Sequence, residues 1–361
     1  MNFNKLALPV LIALVYAPVQ VMAACPTPSA PAPFTSNLTV FAKTYITAGA
    51  SSVLKGDVIS GDVLTIGAGA KVTGSIVSVG ASNVGAGATV GVDKNMVSGG
   101  VATVGAGGII GGCLKSSGAA TIGANAAVTG DLISGGIATT GDSATVGGNI
   151  STGGYASIGA NSQVAGTVAG VGATVIGAGG TTGSLYTLAA SPVTTSLKAG
   201  LVSVVSTTAS LIDDKQNEYN DMGPGTDLGA TMTTSMTLTG GGVFSAANYT
   251  TTAGMTLTLD DQGVRHDWVF NIADYLVTGA STNVVMANKN PGSTVTWNVT
   301  NGYVALGATN KFLGTILANQ YISVGAGTTV KKMNTSCGIY SAASYVSTGA
   351  GAVVEGSCHS Y

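Results

Sequence analysis

The chain is predicted to be an all-β solenoid, a three-faced β-helix of 18-residue coils with one long α-helix packed alongside. Three observations predict it. A glycine recurs at Gly49, Gly67, Gly85, Gly105, Gly123, Gly141, Gly159 and Gly177, and every step is 18 except the 20 from Gly85 to Gly105, which holds Asp93-Lys94. Apolar columns recur at fixed offsets from that glycine. Composition is the third: 55 of 361 residues are glycine, 8% are charged and 6% aromatic, yet 45% are apolar. A unit this short cannot bury a core alone, so each coil must bury its apolar positions against the next. The side chains are too small for an ordinary layered core, and the apolar share is too high for a disordered chain.

Residues 1–23 read as a signal peptide. Lys5 supplies the positive start, residues 6–19 the apolar stretch, and Val21-Met22-Ala23 the small-residue cleavage pattern, so the mature chain is expected to be secreted. A membrane anchor is disfavoured by the short stretch and by Pro9 and Pro18. Lipoprotein anchoring through Cys25 is a minority reading. Residues 24–41 read as a Pro-rich spacer. Four cysteines in an exported chain suggest disulfides. Cys337 and Cys358 are close in sequence and would pair, leaving Cys25 with Cys113 as the remaining option. No CxxC spacing supports a metal site.

Residues 42–190 are expected to form the regular coils. Two positions before the glycine stand Thr47, Thr65, Asn83, Thr103, Thr121, Thr139, Ser157 and Val175. One position before it stand Ala48, Ile66, Val84, Val104, Ile122, Thr140, Ile158 and Ile176. Side chains alternate across a strand, so an inward Ile/Val column puts the Thr column outward. Apolar columns also lie five after the glycine (Leu54, Val72, Val90, Ile110) and nine after it (Val58, Ile76, Leu114, Leu132). Three inward columns imply three faces. A second hydroxyl column, Ser60, Ser78, Ser98, Ser116, Ser134 and Thr152, is expected at a corner, bonded to backbone.

Residues 191–361 are expected to hold a helix and irregular coils. Leu197, Leu201, Val204, Val205, Leu211 and Ile212 fall near helical spacing over residues 197–222, and Gly223-Pro224-Gly225 ends the helix. Beyond it, Gly279, Gly307, Gly325 and Gly349 return in similar local patterns without a strict period.

Residues 217–330 resemble the ice-binding (antifreeze) domain family of bacteria and fungi. The resemblance rests on residues 217–222 with 226–229, then 238–244, 255–263 (MTLTLDDQG), 268–272 (WVFNI), 295–299 (VTWNV) and 312–318 (FLGTILA), in that order. Phe41-Ala42-Lys43 followed by Ile46-Thr47 is similar to the family's opening strand. The resemblance implies a right-handed three-faced β-helix with one helix alongside, and an ice crystal surface as partner. The regular coils depart from the family's few irregular ones and look bactofilin-like, or like an expansion of the family's first coils. Thr278-Gly279-Ala280-Ser281 is similar to the family's ice-contacting Thr-small-any-Thr pattern, so Thr278, Ser281, Thr309, Ser323 and Thr328 form an alternative ice face.

Other function classes find little support. A net charge of −2 gives no basic excess for nucleic acid. The histidines are His266 and His359, and His266 with Asp260, Asp261 and Asp267 reads as a structural turn rather than an acid–base site. The coils lack the grouped carboxylates of sugar-cleaving β-helices, the histidine of acyltransferase coils, and any GxxxxGK[ST] phosphate loop. The chain is therefore expected to be non-enzymatic, with no small-molecule substrate, cofactor or metal. Outward threonines on successive coils would form a file at about 4.7–4.9 Å. Methyls favour cage-like water and hydroxyls anchor it, so Thr47, Thr65, Thr103, Thr121, Thr139 and Ser157 are the expected ice-binding residues. The alternative is a structural or adhesive cell-surface solenoid. Self-association through solenoid ends is a further expected contact, because uncapped strand edges associate.

Overall fold

The computed structural model describes residues 37–193, 196–334, 338–341 and 343–356. The signal segment, Cys25, Cys337, Cys358 and His359 lie outside the described residues; Cys113 is disulfide-bonded.

Each regular coil lays one short strand on each of three faces, as in Ile46–Ala48, Val53–Lys55 and Asp57–Ser60. The next coil repeats them as Leu64–Ile66, Lys71–Val72 and Ile76–Ser78. Pairing is parallel with equal positions in register, so Ile66 lies over Val84 and Val72 over Val90. The expected inward columns are the core: Ile66, Val84, Val104 and Ile122 on one side, Leu54, Val72, Val90 and Ile110 on the next, and Val58, Ile76, Leu114 and Leu132 on the third are all buried. Each such Ile or Leu contributes about 1.5–3 kcal/mol of transfer free energy. The serine column from Ser60 to Ser134, with Thr152, is also buried and bonds to corner carbonyls such as Thr44 O, Val63 O and Gly118 O.

The periodic glycines sit where neighbouring coils approach most closely. A Cβ on Gly67 would lie 2.6 Å from Ala50 N, and one on Gly123 would lie 2.6 Å from Ala106 N. The corner that follows needs a left-handed residue in each coil, filled by Ser51, Gly69, Gly87, Gly107, Asn125, Ser143 and Asn161 at φ of 54–65°. At another corner, side chains brace the next coil's backbone. Ser75 N donates to Asp57 Oδ1 at 2.6 Å, Cys113 N to Asn95 Oδ1 at 2.9 Å and Asn149 N to Asp131 Oδ1 at 2.7 Å.

The solenoid begins at Leu38, inside the stretch expected to be a spacer. Strand Leu38–Ala42 alternates Val40 and Ala42 into the core with Phe41 beneath the helix, so it is fully buried. It pairs on both sides: Val40 with Val58 of the next coil, and Val40 with Ile339 of the last. Ile46 likewise lies between Leu64 and Val346, and Leu54 between Val72 and Val354. The two repeat textures are thus stacked into one solenoid, and its first coil lies mid-stack at a seam. Tyr340 donates its hydroxyl to Leu38 O at 2.9 Å across the seam, and Lys55 pairs with Glu355 at 2.9 Å.

The coils run from the seam to strand Thr181–Thr187 at one end. Helix α1, Ser196–Asn220, then carries the chain back across the seam, and the remaining coils return to it from the opposite end. The helix stops at Asn220, before the expected 222, because residues 221–222 form a turn into left-handed Gly223. Leu197, Leu201, Val204, Val205 and Ile212 are buried against Phe41, Ile59, Val77, Val97, Leu317 and Tyr340. Leu211, expected on the same stripe, is instead 39% exposed. Polar groups lock the far end: Gln216 Nε2 donates to Asn298 Oδ1 at 3.1 Å, and Asn271 Nδ2 to Tyr219 O at 2.7 Å. On that side the core widens into stacked rings, including Phe270 on Trp297 at 4.0 Å.

Gly123→Ala should lower stability by about 1–3 kcal/mol through the backbone clash. Gly200→Ala, on the open face of the helix, should raise it by about 1 kcal/mol. Thermal unfolding of the two variants checks both signs. Burial pushes the Tyr249 phenol up to about 12, and Tyr340 is also pushed up by burial. Above about pH 10 the unfolded chain loses phenolic protons that the fold retains, so stability should drop as pH rises. A melting series from about pH 8 to about pH 11 reads this, and a flat profile would contradict it.

Candidate functional site

One face is covered by the helix, which leaves two. The first carries strands Ile46–Ala48, Leu64–Ile66, Ala102–Val104, Ala120–Ile122 and Ala138–Thr140. Register puts Thr47 on Thr65, Thr65 on Asn83, Asn83 on Thr103, Thr103 on Thr121, Thr121 on Thr139 and Thr139 on Ser157. Inward neighbours on both sides of each residue are buried, whereas these side chains are exposed or half-exposed. No described residue bonds the hydroxyls of Thr47, Thr65, Thr103, Thr121 or Thr139.

The file does not stop at the seam. It continues through Ser347, Ser323, Ala305 and Val277 to Thr250 and Thr231. Two residues before each position of the file lies a second outward column. In the regular coils it holds Val63, Ala81, Val101, Ala119, Ile137 and, at the far end, Tyr155 and Ala173. Across the seam it holds Tyr45, Tyr345, Tyr321, Tyr303 and Tyr275, stacked ring on ring. Sequence reading by the threonine offset alone passes over this rank. Its signal is a tyrosine four positions before each of Gly49, Gly279, Gly307, Gly325 and Gly349. Neither outward column of this face contains a charged residue.

The second open face differs in charge. Its outward positions include Lys71, Lys311 and Lys331, with Lys55 paired to Glu355. Burial acts to raise the Glu355 carboxyl, but the Lys55 ammonium, the Lys332 N–H and the Lys331 charge hold it below the usual range. Fixed charges bind their own hydration shells, so this face presents a less uniform water layer than the first.

The alternative ice face does not assemble. Thr278 and Thr328 are buried, and this corrects their candidacy. Thr278 Oγ1 accepts from Gly307 N at 3.0 Å and from Asn310 Nδ2, while Thr328 Oγ1 accepts from Asn310 N at 3.0 Å and donates to Gly307 O at 2.7 Å. A threonine methyl fits a packed wall and its hydroxyl fits a corner carbonyl, so both were drawn inward. Ser281 and Thr309 are exposed at the left-handed corner, φ 57° each, with hydroxyls 2.9 Å apart. Ser323 belongs to the long file instead.

The acidic residues near His266 hold structure. Asp261 is buried and accepts from Trp268 Nε1 and Asn290 N, each at 2.9 Å. The Gln262 N–H, with the Asn288 amide, holds the Asp260 carboxyl below the usual range. Asp267 accepts from Thr294 Oγ1 at 2.6 Å, and His266 stands edge-on to Trp268. Among the described residues no group of His, Cys, Asp or Glu could hold a metal ion, and no helix is long and apolar enough to cross a membrane.

A family profile described as ice-binding-like matches residues 132–338, more than half of the chain. No curated protein sequence matches the chain. Among solved structures, an ice-binding protein from the Antarctic ascomycete Antarctomyces psychrotrophicus is 19% identical, with a TM-score of 0.35 over 67% of this chain and 92% of that one. An ice-binding protein from an Antarctic biological consortium is 12% identical, with a TM-score of 0.41 over 92% of this chain and 93% of that one. An ice-binding protein domain of Shewanella frigidimarina is 20% identical, with a TM-score of 0.35 over 62% and 92%.

Thr278→Val should orphan the buried Asn310 amide and destabilise the fold by about 1–3 kcal/mol. Denaturant unfolding reads the loss; an unchanged midpoint would return Thr278 to the surface.

Proposed function

The chain belongs to the ice-binding-like family, and from that premise we propose that it adsorbs to ice through the charge-free face centred on the Thr47 file. The observation that carries this reading is the in-register column Thr47, Thr65, Thr103, Thr121 and Thr139, outward and with no hydroxyl partner among the described residues. Rungs spaced at about 4.7–4.9 Å repeat the same methyl–hydroxyl pair along a straight line, interrupted at Asn83. Methyls leave adjacent water to bond with itself, and hydroxyls pin that water in place. The layer then merges with a crystal plane of similar repeat. Adsorbed molecules force the ice front to bulge between them, and the curved front stops growing.

Rigidity supplies what affinity needs. Every threonine stands on a strand paired on both sides, so little backbone freedom remains to be lost at the crystal. Secretion through the segment 1–23 would place the protein where ice forms, and the effect would be inhibition of recrystallisation or shaping of ice around the cell.

The double variant Thr103→Tyr with Thr121→Tyr should lose thermal hysteresis several-fold while its melting temperature holds, because both side chains point to solvent. Full activity in that variant would clear the file of an ice role. Ordinary ice growth with the unaltered protein at high concentration would sink the reading itself.

A further inference from the structure

We propose that the tyrosine rank Tyr45, Tyr345, Tyr321, Tyr303 and Tyr275 is a second ice-contact element, which orders water where the threonine file lapses; this rests on the ice-binding reading above. Beyond the seam the file holds Ser347, Ser323, Ala305 and Val277 before threonine returns at Thr250 and Thr231. The tyrosines begin at that point in the adjacent column. The two elements meet at Tyr45, just before strand Ile46–Ala48, and Thr47 within it.

The rank has the geometry of a lattice. Successive ring centroids are 4.6, 5.0, 4.7 and 5.6 Å apart from Tyr45 to Tyr275, with interplanar angles of 6°, 3°, 9° and 18°. The first three steps repeat the rung spacing of a parallel sheet. Each inner ring is wedged between two others, so its few torsions are fixed before any ligand arrives. None of these phenols has a partner among the described residues, so their hydroxyls are open to solvent. Partial burial and the flanking phenols of Tyr303 and Tyr345 push Tyr321 up.

The chemistry excludes the usual partner of exposed rings. A sugar stacks on an open ring face, and here the faces are covered by one another. What faces outward is a row of ring edges and hydroxyls: apolar surface with one anchored donor–acceptor per rung. That is the same pairing of groups as a threonine file, on a longer lever. An ordered water layer continuous with ice is the ligand class it fits, and the contact surface then extends over both arms of the solenoid.

The test is the triple variant Tyr303→Phe, Tyr321→Phe and Tyr345→Phe in the full mature chain, with Thr103→Tyr/Thr121→Tyr alongside. Phenylalanine keeps the stack and removes only the hydroxyls, so a structural rank would show no change in ice activity. The expected result is a several-fold loss of thermal hysteresis at an unchanged melting temperature. A triple variant as active as the parent, beside an inactive threonine variant, overturns this proposal and leaves the ice-binding reading intact. An inactive parent protein overturns both. Were the triple variant to unfold, single Tyr321→Phe decides in the same direction: partial loss supports the rank, full activity removes it.

Discussion

Register between neighbouring coils governs this molecule. No coil has a core of its own, so each position must match in size and direction the position above and below it. The match that stacks Ile66 on Val84 inside also stacks Thr103 on Thr121 outside. Glycines at the close approach, left-handed residues at one corner and carboxyl or amide braces at another all keep that registration. A slip of one residue would turn every interior side chain outward.

The seam extends the registration across the whole chain. Residues such as Val40 and Ile339 pair although almost the entire sequence separates them. Closing so long a loop costs entropy before any contact forms, and folds dominated by distant pairings form slowly. The helix offsets this by binding both arms at once: Val77 and Val97 on one side, Tyr340 and Leu317 on the other. With the connector that precedes it, it covers one face. The lysine-bearing face and the charge-free face are what remain for an outside partner.

Much of this was readable from residues alone, and the failures have specific causes. Columns such as Leu54, Val72, Val90 and Ile110 repeat strictly, so their inward direction followed from alternation. The helix declared itself by a change of period and a Gly-Pro-Gly stop. The seam carried no such signal, because the irregular steps between Gly279, Gly307, Gly325 and Gly349 conceal that Ser347 shares a column with Thr47. The tyrosine rank was hidden for the same reason, being periodic in space but not in sequence. Thr278 and Thr328 went astray because a hydroxyl near a glycine suits a buried corner as well as an open wall.

The helix's apolar contacts end at Val97. Past that rung the coils are held by one another and by the connector, whose Val193 rests on Cys113 and Ile133. That arm is therefore modular. Tandem duplication of one 18-residue unit would displace its tip by about 4.7–4.9 Å, a gap that one or two added connector residues can span at about 3.3 Å each. Neither the seam nor the helix would need to change. Arm length is thus an independent evolutionary variable, and with it the number of rungs offered to the crystal.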